Sequence, residues 1–307
     1  MRILYAATGE IAVPLLEALY KEGLVSAVLT APDAPGKRGK GLIPTPVKVK
    51  AMELGLEVYQ PETIRSEARK RIREAGADTL LSFCYGRIFG PMFLSMFSEC
   101  YNVHPSLLPR HRGCSPIFEA IRQGDRESGI TLQRIALKVD EGDIIAQHSF
   151  PLDGTETEES LSRMVAGLVP SVVIPALLSQ RIPRPQEGEA TYTGFVSKDD
   201  GRIDFSLPAS AIHAQIRACY PWPKAYAMLS GEKISLTGVH GSAFDSFEPC
   251  TEAPGTIVAL DRKKGLKVAT GSGYIYISRI LPPMKKEMDA VSFCNGRKNV
   301  IGSVLEG

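Results

Sequence analysis

Asn102 and His104 lie two residues apart in an apolar and polar run, Cys100–His104, that Pro105 ends. The run is typical of a β-strand, and strand side chains alternate between faces, so this amide and imidazole point to the same side. The amide is a neutral hydrogen-bond donor, and the imidazole can change its charge near neutral pH. Such a pair suits a reaction in which a carbonyl oxygen becomes negatively charged. From the residues alone, a strand end whose polar groups are satisfied structurally explains the pair equally well.

The elements around the pair predict an open, doubly wound α/β sheet. Over the first 180 or so residues, short apolar runs alternate with amphipathic helical segments, as expected for parallel strands joined by helices. Ligands bind such sheets at the carboxyl ends of the strands, where Asn102 and His104 are expected to lie. The predicted strands are Ile3–Thr8, Ala27–Ala31, Thr79–Tyr85 and Cys100–His104, and the predicted helices are Val13–Tyr20 and Glu62–Arg73.

Two further strands, Thr131–Val139 and Ile144–Phe150, flank the turn Asp140-Glu141-Gly142-Asp143 and predict an antiparallel extension of the sheet. On pattern alone, the acidic residues of this turn are best read as capping it through hydrogen bonds to the backbone. A long helix is expected to follow over Glu156–Leu178.

The start of that long helix has a capping-box pattern in Thr155 and Glu158. Pro170 and Pro175 are expected to kink or divide it.

Beyond Arg181 the amino-acid composition changes. A stretch rich in proline, glycine and charge resembles a linker. It precedes a predicted helix, Ala209–Cys219, and then a strand-rich region with a hairpin at Gly271-Ser272-Gly273. Several short strands in about a hundred residues suggest a small barrel, of which the OB type is one kind. The predicted strands are Ile234–His240, Gly255–Leu260, Leu266–Thr270 and Tyr274–Ile280.

Composition excludes several classes of function. The six cysteines form no C-x-x-C pair and the five histidines are dispersed, which argues against a disulfide framework and against a zinc site. The first turn, Ala7-Thr8-Gly9-Glu10, lacks the G-x-G-x-x-G pattern, and Glu10 would repel a pyrophosphate. The N-terminus resembles a buried strand more than a signal peptide, and no apolar run approaches the roughly 20 residues that span a bilayer. We therefore expect a cytoplasmic location.

The one concentrated charge lies in residues 32–50. The net charge is only +2. This segment nevertheless holds five basic side chains, including Lys37, Arg38 and Lys40, against the single acid Asp33. It could contact phosphates, although composition alone favours a solvated surface loop.

These motifs together resemble the folate-dependent formyltransferases. The signature is carried by Asn102-Val103-His104-Pro105-Ser106-Leu107-Leu108-Pro109, by Arg112-Gly113 and by Pro116-Ile117, with Gly129-Ile130-Thr131 and Asp140-Glu141-Gly142-Asp143 at the place of the second motif. The likeness is nearly collinear along the chain. The first turn departs from the usual Gly-Thr-Pro-Asp/Glu-Phe, and Cys114-Ser115 replaces two alanines.

The resemblance implies a Rossmann-like α/β formyltransferase domain over residues 1–183, a linker over 184–203 and a small OB-like β-barrel over 204–307. It implies that 10-formyltetrahydrofolate is the co-substrate and that the acceptor is the α-amine of methionine on initiator tRNA. No metal, no membrane contact and a monomer are expected. The implied catalytic residues are Asn102, His104 and Asp140. The implied folate-binding residues are Ser106, Leu107, Leu108, Pro109, Phe83, Arg87 and Ile88, and the implied tRNA-binding residues are Lys37, Arg38 and Lys40.

Two other functions stay open at this point. A formyltransferase acting on a nucleotide-linked amino sugar would keep the same three catalytic residues and the folate. A non-catalytic RNA-binding protein would use only the basic loop and the second domain.

Overall fold

The computed structural model describes residues 1–36, 41–179 and 181–307. The chain divides into two compact units. Unit 1 consists of Met1–Pro116, Gly129–Ser149 and Ser162–Thr193, and unit 2 consists of Ile117–Ser128, Phe150–Leu161 and Gly194–Gly307. The domain boundaries that the sequence suggested, 1–183 and 204–307, stay a prediction.

Up to Thr193 the chain alternates strands with helices. The helices are α1 (Val13–Lys21), α2 (Pro46–Glu53), α3 (Ser66–Glu74), α4 (Pro91–Leu94), α5 (Pro116–Arg122) and α6 (Glu158–Leu178). The strands are β1 (Ile3–Ala7), β2 (Val25–Leu29), β3 (Ala34–Pro35), β4 (Leu42–Ile43), β5 (Val58–Tyr59), β6 (Thr79–Phe83), β7 (Glu99–His104), β8 (Arg112–Gly113), β9 (Glu127–Arg134), β10 (Ile144–Pro151) and β11 (Tyr192–Thr193).

Seven of these strands form one mixed sheet in the order β10-β9-β7-β6-β1-β2-β5. The five strands from β7 to β5 pair in parallel, and β9 pairs antiparallel with β7. β1 and β6 are entirely buried, because helices cover both faces of such a sheet and leave no solvated side. The predicted Rossmann-like α/β layer with an antiparallel extension is confirmed.

Helix α6 begins two residues later than its predicted capping box. Thr157, and not Thr155, caps it. The Thr157 hydroxyl accepts a bond from Ser160 N at 3.1 Å, and Ser160 Oγ accepts one from Thr157 N at 2.9 Å. The Thr155 hydroxyl instead donates to Asp153. Pro170 and Pro175 lie inside α6, which runs as one helix and is not divided.

Among the described residues, α6 is the one helix long and apolar enough to cross a membrane by length and composition. The prediction that no apolar run approaches that length is wrong for this segment. Its Val165, Val169 and Val173 are fully buried at helical spacing, as in the core helix of a folded domain. The length test is therefore weak evidence for a membrane span.

The remaining elements build the sheet of unit 2. They are α7 (Ala209–Ala218), β12 (Ala225–Leu229), β13 (Glu232–Val239), β14 (Ile257–Asp261), β15 (Gly265–Ala269), β16 (Tyr274–Leu281), β17 (Met288–Asp289), α8 (Ala290–Asn295) and β18 (Leu305–Glu306). The strand order is β14-β15-β16-β13-β12-β18, with β17 paired to β16. The predicted hairpin at residues 271–273 is confirmed, since β15 and β16 pair antiparallel across it. α7 packs against β13 and β16.

The stretch predicted as a linker makes specific contacts within unit 1. Arg184 exchanges backbone hydrogen bonds with Ile144, and β11 pairs in parallel with β8. Gly113 is required for that pairing, because a Cβ there would lie 2.2 Å from the Thr193 carbonyl oxygen. Residues 184–193 thus lie along the edge of unit 1 that carries the Asp140 turn.

Candidate active site

Asn102 and His104 lie at the carboxyl end of β7, between β6 and β9. In the antiparallel pairing of β7 with β9, Asn102 is opposite Gln133 and His104 is opposite Thr131. In the parallel pairing with β6, Asn102 is opposite Ser82. The predicted position at the carboxyl edge of the parallel strands is therefore observed.

Asp140 lies beside this pair, on the turn that links β9 to β10. Its Oδ2 is 3.5 Å from His104 Nδ1, and its Oδ1 accepts a hydrogen bond from Asn102 Nδ2 at 3.3 Å. We call Asn102, His104 and Asp140 the polar trio. The three residues are thus brought together by a strand end and a turn 36 residues further along the chain.

Two further donors fix the Asp140 carboxylate. Gly113 N donates to Oδ2 at 2.9 Å, and Gln133 Nε2 donates to Oδ1 at 2.9 Å. Asp140 has a φ of 55°, a left-handed conformation that Asp tolerates better than most residues. Three donors thus hold the two oxygens of a side chain that is only 9% exposed, so the orientation of the carboxyl group is fixed.

The protonation state of His104 follows from its two ring contacts. Nε2 lies 2.8 Å from the carbonyl oxygen of His111, and a carbonyl can only accept, so Nε2 carries a proton. Nδ1 faces the Asp140 carboxylate, which favours a proton there too. Burial lowers the pKa of His104 below its ordinary value, while the Asp140 charge acts in the opposite direction and the nearby His111 side chain adds to the lowering. Burial is the largest of these contributions, so the pKa of His104 lies below its ordinary value and its protonated form releases a proton readily.

The segment that follows His104 is anchored on the same strands. The Thr131 hydroxyl donates to Ser106 O at 2.7 Å and accepts from Leu108 N at 3.3 Å. Gln147 Nε2 donates to Leu108 O at 3.0 Å. A Cβ on Gly129 would lie 2.3 Å from Leu107 Cδ2, so only glycine lets this leucine pack there. Ser106, Leu107, Leu108 and Pro109 thus form a fixed wall next to the trio.

The other three predicted folate-binding residues are not linked to the trio by the described hydrogen bonds. Phe83, at the end of β6, is fully buried. Arg87 Nη1 donates to Pro61 O and Glu62 O, both at 2.9 Å. Ile88 is 82% exposed. Their assignment to a folate pocket stays a prediction.

The predicted tRNA-binding residues Lys37, Arg38 and Lys40 lie outside the described residues. Within the parts of the chain that the structure describes, no group of three His, Cys, Asp or Glu residues could hold a metal ion.

Sequence reasoning missed two glutamines that contact the Asp140 turn. Gln133 could have been found from its place on β9, directly opposite Asn102, once the antiparallel register was known. Gln186 had no such signal, because it lies in a proline- and glycine-rich stretch. Its Nε2 donates to the carbonyl oxygens of Asp140 and Gly142, both at 2.8 Å.

Comparison with known proteins identifies the family. A family model described as formyl transferase matches residues 1–177, and one described as formyl transferase, C-terminal domain, matches residues 196–298. The chain belongs to the formyl transferase family. The resemblance that the motifs predicted is confirmed. The methionyl-tRNA formyltransferase of Borreliella afzelii is 37% identical over 312 residues, which cover 99% of this chain and 98% of that protein.

Solved structures share the fold of this formyl transferase. HypX from Aquifex aeolicus, in complex with tetrahydrofolic acid, matches 98% of this chain with a TM-score of 0.62 and 19% identity. The match covers 48% of HypX, so this chain spans about half its length. Methionyl-tRNA formyltransferase from Clostridium thermocellum matches 80% of this chain and 95% of its own, with a TM-score of 0.58 and 18% identity. At these identities the likeness shows the fold alone.

Proposed function

We propose that this formyl transferase moves the formyl group of 10-formyltetrahydrofolate to the α-amine of methionyl-initiator tRNA, giving N-formylmethionyl-tRNA for translation initiation. The observation that carries this function is the polar trio at the carboxyl edge of the unit 1 sheet, in a chain that matches both formyl transferase models. The methionyl-tRNA formyltransferase of Borreliella afzelii aligns with this chain over nearly its whole length, which supports methionyl-tRNA over an amino sugar as the acceptor.

In this mechanism the amine attacks the formyl carbonyl, and negative charge develops on its oxygen. Asn102 donates a hydrogen bond to that oxygen, since its single bond to Asp140 at 3.3 Å uses one of two amide hydrogens. His104 stabilises the same charge and passes a proton to the departing folate nitrogen, as its lowered pKa favours. Asp140 orients the imidazole and favours its charged form against the effect of burial. The proton that the attacking amine loses passes to Asp140, directly or through water.

The folate co-substrate is assigned to the wall formed by Ser106, Leu107, Leu108 and Pro109, with Phe83, Arg87 and Ile88 as further predicted neighbours. Two observations support this. The wall is held rigidly by Thr131 and Gln147, and it begins two residues after His104. No metal is needed for the chemistry proposed, because the imidazolium and the amide supply the charge stabilisation.

The tRNA contacts are assigned to Lys37, Arg38 and Lys40 and to unit 2. We take the sheet of unit 2 to be a small OB-like barrel. A bridge between Thr256 and Val304 supports closure, because it joins segments beside the two edge strands, β14 and β18.

Lysine and tyrosine side chains also pair on this sheet. Lys267 Nζ is 3.9 Å from the centre of the Tyr274 ring, and Lys264 Nζ is 5.0 Å from that of Tyr276. Lys264 is the one of these two lysines proposed to meet a phosphate, since Lys267 Nζ is already paired with Glu248 Oε2 at 2.9 Å. The protein is assigned to the cytoplasm as a monomer.

One assay tests this function. The protein is incubated with 10-formyltetrahydrofolate carrying a labelled formyl group and, in parallel, with methionyl-initiator tRNA or an amino-sugar nucleotide. Label on the methionyl-tRNA is the expected result. Label on the sugar alone would reassign the acceptor, and label on neither would leave a binding protein.

A further inference from the structure

The side chain of Gln186 connects Arg112 to the backbone of the Asp140 turn. It extends from the segment that the sequence presented as a linker, and its side chain is half-buried. Nε2 donates to Asp140 O and Gly142 O, both at 2.8 Å. Oε1 accepts from Arg112 Nε at 3.1 Å and from Arg112 Nη2 at 2.8 Å.

The orientation of this amide is fixed by its partners. Arginine can only donate, so the atom facing Arg112 must be the oxygen, and the carbonyls of the turn can only accept, so the atom facing them must be the nitrogen. Both amide hydrogens and both oxygen lone pairs are therefore used. The Gln186 side chain has one arrangement that satisfies every neighbour.

Gln186 is one of several restraints on this turn, which is also held by Arg134 N donating to Asp143 O at 2.9 Å and by Arg112 Nη1 at 3.4 Å from Glu141 Oε1. Asp140 has a φ of 55°, and the turn's own backbone bond from Glu141 N to Lys138 O is long, at 3.5 Å. Gly142 is pressed so closely on Arg134 O that a Cβ there would lie 1.7 Å away. A strained turn persists only where its surroundings over-determine it. The two bonds from Gln186 restrain the backbone at the carbonyls of Asp140 and Gly142, while Gln133 helps to hold the carboxylate.

We propose that Gln186 is a positioning residue for formyl transfer, which fixes the Asp140 carboxylate against His104 by clamping the backbone on both sides of Asp140. This rests on the proposed role of the polar trio. Gln186 makes no described hydrogen bond to Asn102 or His104, so its effect on them passes through Asp140 and through Gln133, whose Oε1 lies 3.4 Å from Gln186 Nε2.

The principal test is Gln186→Met, which keeps the side-chain length and removes both donors. A misplacement of about 1 Å in such a site can cost roughly 100-fold in rate, so we expect kcat to fall by roughly 10- to 100-fold while KM for the folate changes little. Gln186→Glu is the second variant. It keeps the shape and the Arg112 contact but turns a repelling oxygen toward the carbonyls, so it should also lower kcat.

Gln215→Met is the matched control. Gln215 is also half-buried, and its Nε2 also donates to two backbone carbonyls, Asp200 O at 2.9 Å and Arg202 O at 2.8 Å. It lies in unit 2. The two methionine variants should lose similar amounts of thermal stability, but only Gln186→Met should lose kcat.

The His104 titration, followed by NMR with labelled histidine, gives a readout that a purely structural role would not move. Burial and the neighbouring His111 lower the pKa of His104, whereas Asp140 raises it, so displacing Asp140 should move the His104 midpoint to lower pH in Gln186→Met, which adds no charge. An unchanged midpoint together with a normal kcat would overturn the proposal. So would an equal loss of kcat in Gln215→Met.

The NMR titration needs no substrate. If the wild type did not formylate methionyl-tRNA, the proposed function would fail, and the titration would still decide whether Gln186 positions Asp140.

Discussion

Replacing Asp140 with asparagine removes one charge from the polar trio and keeps the shape of the side chain. Two unit charges 3.5 Å apart, the distance from Asp140 Oδ2 to His104 Nδ1, attract by about 5 kcal/mol at an effective dielectric constant of about 20. That value is a ceiling, because asparagine still offers an oxygen to Gly113 N. Loss of one preorganised interaction of this kind typically costs roughly 100- to 1,000-fold in rate, and we expect kcat to fall within that range.

The pH dependence should change in a defined direction. In the wild type the Asp140 charge raises the pKa of His104 against the lowering by burial and by His111. Asp140→Asn removes the raising contribution only. The limb of the kcat profile that reports loss of the His104 proton should therefore move to lower pH, and less imidazolium should remain at neutral pH.

The assay is single-turnover formylation of methionyl-initiator tRNA at saturating 10-formyltetrahydrofolate between pH 5 and 9. Asp143→Asn is the control, because it makes the same charge change at an exposed side chain in the same turn. A rate within a few-fold of wild type for Asp140→Asn, with the same pH midpoint, would refute the reasoning. Equal losses in the two variants would attribute the effect to net charge and not to the contact with His104.

Three other outcomes are expected. Arg38→Ala should raise KM for methionyl-tRNA and make KM depend less steeply on salt concentration, since one phosphate contact is lost. An unchanged salt dependence would show that Arg38 does not contact the tRNA. Burial and the neighbouring Arg217 lower the pKa of His213 to about 4. His213 therefore binds a proton in the unfolded chain before it does in the folded one, and the free energy of unfolding should fall by up to about 3 kcal/mol as the pH falls from about 6.5 to 4. Urea denaturation should show a smaller fall over this pH range in His213→Gln. Thr157→Ala should lower the free energy of unfolding by about 1 kcal/mol, whereas Thr155→Ala should change it by less than about 0.5 kcal/mol, and the reverse order would contradict the observed cap of α6.

The sequence was most informative where local rules apply. Strand alternation places Asn102 and His104 on one face without any tertiary information, and apolar runs locate β1, β6 and β7 to within two residues. The approach of Asp140 to them depends on the register of β7 against β9, which no local pattern encodes. The family resemblance supplied that pairing, whereas residue spacing favoured a simple turn cap.

The structure differs from the sequence-based predictions at the cap of α6 and at Gln186, and each difference has a physical reason. Thr155 and Thr157 both match N-cap chemistry, and the competition is decided by Asp153, which engages the Thr155 hydroxyl and leaves Thr157 to pair with Ser160. Gln186 lies among prolines and glycines, a composition typical of linkers. Its long-range bonds to the Asp140 turn come from the path of the backbone beside β8, and composition carries no trace of that path.

The most direct measurement is the single-turnover rate of formyl transfer to methionyl-initiator tRNA by wild type and by His104→Ala, together with the affinity of each for 10-formyltetrahydrofolate. We expect the rate to fall by roughly 100-fold or more while folate affinity stays within a few-fold, because His104 acts on charge that develops only during the reaction. A near-normal rate in His104→Ala, repeated in Asn102→Ala and Asp140→Ala, would contradict the assignment of the chemistry to the trio.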